Sequence, residues 1–301
     1  MLRGRHFTGR RLALLVAILA MAAFAPVAAE ATMATPNSRE LKLLIQTDVF
    51  ADRAEGYKQC WGIVKDLATE MGIQVVEVKD PFDEGARKVM YLDTGSEQLR
   101  KENLSLRLRI KIKDGKLENK VDLNLKYRRS DVDTVPSDAV TAAAGIKASF
   151  SYEEDVAGFI GGVVGQSSSA ASMACTIKGV AVERLSGNTL GVYVEHFPSL
   201  ARLGIPADSQ LEMVGAIAIR EHKVTPGELD FGQGMSTEVD ISVWYNFDTG
   251  KIITAEISYG SALGQDVPAA AVARAEAFFN ALQERMAGIL APGGMKTDFL
   301  K

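Results

Sequence analysis

Residues 91–130, YLDTGSEQLRKENLSLRLRIKIKDGKLENKVDLNLKYRRS, decide the fold. Within them the stretch from Leu104 to Lys113 alternates without a break. Leu104, Leu106, Leu108, Ile110 and Ile112 share one face, and Ser105, Arg107, Arg109, Lys111 and Lys113 share the other. Period-two alternation of this length predicts a β-strand with one buried face. Asp114-Gly115 then supplies turn chemistry. A second strand follows, with Val121, Leu123, Leu125 and Tyr127 opposite Lys120, Asp122, Asn124, Lys126 and Arg128. Paired as a hairpin, the two strands gather arginine and lysine on a single sheet face, which suits an anion. An antiparallel sheet can also leave such a face simply solvated, so alternation alone keeps both readings open.

The same patterning extends outward in both directions. Leu41, Leu43 and Ile45 alternate with Glu40 and Lys42 in an opening strand. Residues 52–71 place Tyr57, Trp61, Val64 and Ala68 at helical spacing and end at Gly72. Ile73 to Lys79 reads as a strand, 131–146 as a connection, and Lys147 to Asp155 as a further alternating strand ending in an acidic run. The glycine-rich stretch 158–173 lacks the lysine that a phosphate loop requires after its last glycine, because Gln166 follows Gly165. It reads as a connection or partial helix. Thr176 to Glu183 and Leu211 to Val224 are expected strands, the latter with Arg220 and His222 on its polar face. His196 is expected on a helix surface. Glu238, Asp240, Ser242 and Trp244 share one strand face, and Thr254, Glu256 and Ser258 share another. Val267 to Met286 is an amphipathic helix, and the KTDFL ending is expected to form a short strand.

YLDT at 91–94, LRLR at 106–109, LNLK at 123–126 and Phe197-Pro198 together resemble the CYTH family of triphosphate tunnel proteins. The resemblance spans most of residues 38–299. It implies an α+β fold: an antiparallel β-barrel of the triphosphate-tunnel kind with flanking helices, formed by residues 38–301 as a single domain. It implies a triphosphate or polyphosphate ligand held by Arg107, Arg109, Lys126, Lys42 and Arg220. It also implies a divalent cofactor, Mg²⁺ or Mn²⁺, on Glu40 and Glu256 with Glu238 or Asp240. Glu153 and Glu154 are weaker acidic candidates. The family opens on E-x-E-x-K and closes its barrel on E-x-E, whereas this chain has Ser38-x-Glu40-x-Lys42 and Glu256-x-Ser258. One acid of each pair is a serine. The implied activity is therefore metal-dependent triphosphate hydrolysis, or alternatively non-catalytic binding of a polyanion or an interaction role in the cell envelope.

Residues 1–29 read as a secretory signal peptide, with Arg3, Arg5, Arg10 and Arg11 ahead of the apolar run LALLVAILAMAAFA and the small residues that follow Pro26. This places the mature protein in a secreted or periplasmic setting with no membrane span after cleavage. The leader holds four of the 34 basic residues and none of the 38 acidic ones, so the remainder has 30 basic residues against 38, a net charge of −8. That balance argues against general nucleic-acid binding. Cys60 and Cys175 could pair in an oxidising compartment or remain buried thiols. Two histidines outside the leader, His196 and His222, make a histidine-based zinc site improbable.

Overall fold

The structure, a computed structural model, describes residues 32–130 and 134–300. The leader read over 1–29 lies outside the described residues. Nine strands form the body: β1 (Ser38–Ile45), β2 (Gly85–Thr94), β3 (Leu104–Lys113), β4 (Lys116–Arg129), β5 (Ala148–Gly158), β6 (Ser167–Ala181), β7 (Ile219–Asp230), β8 (Ser236–Asn246) and β9 (Ile252–Ala262). Their spatial order is β2-β3-β4-β6-β5-β1-β9-β8-β7, and β7 pairs back onto β2, from Ile219 opposite Val89 to Lys223 opposite Gly85. The sheet therefore closes into a barrel.

The expected barrel was purely antiparallel, and here the structure differs. β1 and β5 run parallel, with Ser38 opposite Glu153, Glu40 opposite Asp155 and Lys42 opposite Ala157. A parallel pair needs a long crossover rather than a tight turn. The whole of 46–147, including β2, β3 and β4, supplies it.

The barrel carries its apolar faces outward. On one side Leu106, Leu123, Leu125 and Cys175 pack beneath Leu99, Tyr193, Phe197 and Leu200. On the other, Leu41, Leu43 and Ile45 of β1 and Ile241 and Val243 of β8 pack beneath two long helices, α1 (Arg53–Glu70) and α2 (Ala269–Met286). Those helices contribute Trp61, Val64, Phe278 and Leu282 to the contact. Asp52 caps α1, its side chain accepting from the backbone N–H of Glu55 at 3.2 Å. The two cysteines lie in these separate clusters as buried free thiols. The β3–β4 turn is tight because Asp114 and Gly115 both adopt positive φ, at 50° and 73°, as the favoured two-residue hairpin turn requires.

Four local expectations change. Residues 167–173 belong to β6 rather than to a connection, and the turn preceding it is short because Gly161, Gly162 and Gly165 take positive φ. The expected strand from Leu211 to Val224 is broken: a short strand (Leu211–Met213), a 3-10 turn (Val214–Ala216) with Gly215 at φ 65°, and then β7. The ending forms a 3-10 turn (Lys296–Leu300), not a strand, because Leu300 buries against Val89, Tyr91, Ile219 and Trp244. His196 is buried, its Nδ1 3.0 Å from the Val192 carbonyl oxygen.

An outward apolar layer beneath a shell is directly testable. Leu106 is fully buried, whereas Leu117, on the same hairpin, is 46% exposed. Leu106→Ala is expected to cost about 2–5 kcal/mol in urea unfolding, and Leu117→Ala less than about 0.5 kcal/mol. Equal costs would contradict the burial of Leu106 beneath the covering shell.

Candidate functional site

The interior of the barrel is a polar cavity of about 890 Å³. Alternation on each strand builds its wall. β1 contributes Glu40 and Lys42, β3 Arg107 and Arg109, β4 Lys126 and Arg128, and β5 Glu153. The far wall carries Glu221 and Lys223 of β7, Asp240 and Ser242 of β8, and Glu256 and Ser258 of β9.

Asp155 has no solvent exposure. Three cations converge on it: Lys42 Nζ at 2.5 Å from Oδ1, Lys126 Nζ at 2.7 Å from Oδ2 and Arg128 Nε at 2.9 Å from Oδ2. Burial works against its ionisation, yet Lys126, Lys42 and Arg128 hold its carboxyl well below the usual carboxylate range. Lys42 also reaches Glu40 Oε2 at 2.7 Å, and Lys126 reaches Glu153 Oε2 at 3.3 Å. Burial works against the charge of Lys42, but Glu40, Asp155 and Glu256 hold its pKa above its ordinary value. Lys126 moves the other way, lowered first by burial and then by the nearby Arg128 and Lys42.

Across the cavity, Lys296 from the terminal 3-10 turn lies 2.9 Å from Glu256 Oε1 and donates to Ser242 Oγ at 2.8 Å, with its ammonium 5.0 Å from the Trp244 ring centroid. The Trp244 indole N–H donates to Glu221 Oε2 at 2.8 Å, and Arg87 pairs with the other oxygen at 3.1 Å. Between these two clusters stand Arg107 and Arg109. The Nε atoms of both are buried and have no hydrogen-bond partner. Burial, then the neighbouring Arg107 and Arg87, lower the pKa of Arg109 to about 10, so it remains charged at neutral pH without a carboxylate of its own.

The structure thus brings Lys42, Arg107, Arg109 and Lys126 into one cavity, together with Glu40, Glu256 and Asp240. Asp240 is already engaged by Lys223 Nζ at 2.6 Å and by the Thr225 hydroxyl at 2.7 Å. Arg220 lies elsewhere. The break before β7 sets the strand so that Glu221 and Lys223 face inward, and Arg220 stacks outside with its guanidinium 4.7 Å from the Phe247 ring centroid. Glu238 is exposed, opposite Glu228 on the neighbouring strand and away from the cavity. Glu154 faces out to Arg39. Sequence reasoning missed Asp155, Arg128, Glu221, Lys223, Arg87 and Lys296 as site residues. Two of them carried a usable signal: Asp155 follows Glu153 by two residues, and Arg128 follows Lys126 by two.

The carboxylates that meet are Glu40, Glu153 and Asp155, each with an oxygen within 4.8 Å of the others. Three carboxylates are hard-cation donors of the kind that Mg²⁺ and Mn²⁺ use. Yet the Lys42 and Lys126 ammonium groups already stand between them. This donor set does not fit a divalent ion unless both lysines move away.

Asp155 supplies the test of this electrostatic arrangement. Asp155→Asn is expected to destabilise the protein by about 3–5 kcal/mol at neutral pH, because it leaves buried cations without their carboxylate. The folded-state pKa of Asp155 lies below its unfolded value. Its stabilisation is therefore fully present above about pH 4 and is lost as pH falls further. Urea unfolding at pH 7 and pH 3 should show the gap between wild type and variant narrowing at the lower pH. A gap that stays constant would remove Asp155 from this role.

No family model matches the chain, and no curated protein matches it. Solved structures do. A Hippeastrum protein described as a candidate adenylyl cyclase with a dominant triphosphatase activity aligns over 84% of this chain and 88% of its own, at 13% identity and a TM-score of 0.43. A candidate adenylate cyclase from Bacillus halodurans aligns over 88% of this chain and 97% of its own, at 14% identity and a TM-score of 0.43. A Pyrococcus horikoshii protein aligns over 85% and 93%, at 12% identity and a TM-score of 0.37. The closed barrel with a charged bore and flanking helices agrees with the barrel-and-helix architecture expected from the YLDT, LRLR and LNLK motifs, apart from its one parallel strand pair.

Proposed function

We propose that the barrel binds a phosphate chain, either inorganic triphosphate, polyphosphate or the triphosphate of an organic molecule. The observation that carries this reading is the pair Arg107 and Arg109, which line the cavity and whose buried Nε atoms have no hydrogen-bond partner. A buried cationic donor left unpaired is costly, and a ligand that pairs it recovers that cost. The planar guanidinium fork matches phosphate oxygens in bidentate fashion. Lys42, Lys126 and Arg87 line the same cavity, so several phosphates in series meet cations along the bore. A single carboxylate would satisfy one arginine and leave the others.

Hydrolysis asks for more than this. An in-line attack on a phosphoryl group needs a positioned water and charge stabilisation, usually through Mg²⁺ or Mn²⁺. Glu40, Glu153, Asp155, Asp240 and Glu256 are already paired with lysines, and Glu221 with Arg87. Binding is therefore the function that the geometry supports, and turnover is the measurable outcome that would make the protein an enzyme. With residues 1–29 taken as a leader, the ligand is encountered outside the cytoplasm, in a secreted or periplasmic setting. An N-terminal sequence beginning after Ala29 or Ala31 in exported protein would support that placement, and full-length protein retained in the cytoplasm would oppose it.

Titration calorimetry with tripolyphosphate is expected to give a dissociation constant on the order of micromolar. Arg107→Ala and Arg109→Ala should each weaken it by roughly 10- to 100-fold, the loss of a charged hydrogen bond. Arg220→Ala, outside the barrel, should leave it unchanged. Absence of binding in the wild-type protein, or equal effects of all three substitutions, would overturn the assignment.

A further inference from the structure

The acids of the bore stand close enough to share a cation, and lysines occupy the shared positions. An ammonium group has three donors. Lys42 spends two of them, on Glu40 Oε2 at 2.7 Å and Asp155 Oδ1 at 2.5 Å. Lys126 likewise spends two, on Asp155 Oδ2 at 2.7 Å and Glu153 Oε2 at 3.3 Å. Each retains one N–H, and both side chains line the cavity. Lys296 repeats the arrangement opposite them, between Glu256 and Ser242.

The register shows why no further acid is needed. Ser258 of β9 lies opposite Lys42, and Ser38 of β1 lies opposite Glu153. Carboxylates at either position would add negative charge beside a cluster in which Glu40, Glu153 and Asp155 already face Lys42, Lys126 and Arg128. A divalent ion placed among these carboxylates would sit against two ammonium groups and a guanidinium. Mg²⁺ would also need carboxylate oxygens at about 2.0–2.1 Å, closer than the lysine nitrogens now stand to them.

Resting on the phosphate-chain reading above, we propose that Lys42 and Lys126 take the place of a divalent cation in this barrel, so that it binds a bare phosphate chain without a metal ion. The fixed ammonium groups neutralise the acids beneath the ligand and present their remaining N–H donors to it. Arg107 and Arg109, whose Nε atoms have no hydrogen-bond partner, supply further positive charge in the same cavity.

Two measurements on the purified protein test this. The first is calorimetry with tripolyphosphate in chelator and then in excess Mg²⁺. Affinity should persist in chelator and fall by at least about threefold with Mg²⁺, because the ion complexes the ligand in solution and removes charge from it. Binding that disappears in chelator and returns with Mg²⁺ or Mn²⁺ would overturn the proposal.

The second uses Mn²⁺ alone, followed by loss of its free-ion electron paramagnetic resonance signal. Wild-type protein should leave Mn²⁺ free, while a Lys42→Gln/Lys126→Gln variant that retains a cooperative melting transition should bind it at least about tenfold more tightly. Wild-type capture of Mn²⁺ that Asp155→Asn abolishes would also overturn the proposal. The Mn²⁺ experiment contains no phosphate, so it decides the lysine assignment by itself. Failure to bind tripolyphosphate under every condition would instead remove the phosphate-chain reading.

Discussion

Three cations on one buried carboxylate set the terms for the rest of this barrel. Taking Asp155 out of water costs on the order of several kcal/mol, and sequestering Lys42 and Lys126 beside it adds to that cost. The arrangement persists because Lys42, Lys126 and Arg128 approach both carboxylate oxygens at 2.5–2.9 Å. Those partners come from β1 and β4, and Asp155 itself from β5. The ion cluster therefore joins strands that lie far apart in sequence, with 113 residues separating Lys42 from Asp155. It also reinforces the parallel β1–β5 pairing, in which Glu40 lies opposite Asp155.

A barrel with ions inside must find its hydrophobic stabilisation outside. That explains why helices and loops cover so much of it. Leu106, Leu123 and Leu125 would be solvated without the cover of Leu99, Tyr193, Phe197 and Leu200, and β1 and β8 would be solvated without α1 and α2. The two faces of each strand thus perform separate tasks. Outward residues hold the fold through burial of apolar area, while inward residues are available for charge chemistry because they contribute little to the apolar core. The cavity can carry arginines whose Nε atoms lack a hydrogen-bond partner because the outer layers stabilise the barrel independently.

This division of labour decided how much could be read from the chain. The β3–β4 hairpin was legible because its outward face is purely apolar and its inward face mainly charged, so period-two alternation names both. β7 was not. Arg220 and His222 point outward to Phe247 and to Glu84, while Glu221 and Lys223 point inward. With polar groups on both faces, alternation finds the strand and cannot choose its inner side. Asp155 closes an acidic run whose outer member, Glu154, pairs with Arg39, so the run resembles a solvated turn. Its partners Lys42, Lys126 and Arg128 lie on other strands, so only the two-residue spacing from Glu153 marks it locally. The parallel pairing is hidden for the same reason: strand direction in a barrel depends on the route of the intervening chain, which no short window contains. Lys296 was hidden further by its place on a terminal 3-10 turn that enters the barrel from outside the strand pattern.

The two serines belong with the lysines in one electrostatic argument. Around Asp155, three carboxylates face three cations, and that cluster is balanced. Arg107 and Arg109 stand outside the balance, with no carboxylate paired to their Nε atoms. A carboxylate at position 258 would stand opposite Lys42, and one at position 38 opposite Glu153. Either would draw on the remaining positive charge of the bore, or would need a metal ion to offset it. Serine does neither. Ser38 turns its hydroxyl to the Tyr152 carbonyl at 3.2 Å, a neutral hydrogen bond that leaves the field of the cavity unchanged. Serine at both positions thus leaves the positive charge of the two arginines without an added acid beside it, and the proposed phosphate-chain binding rests on that charge.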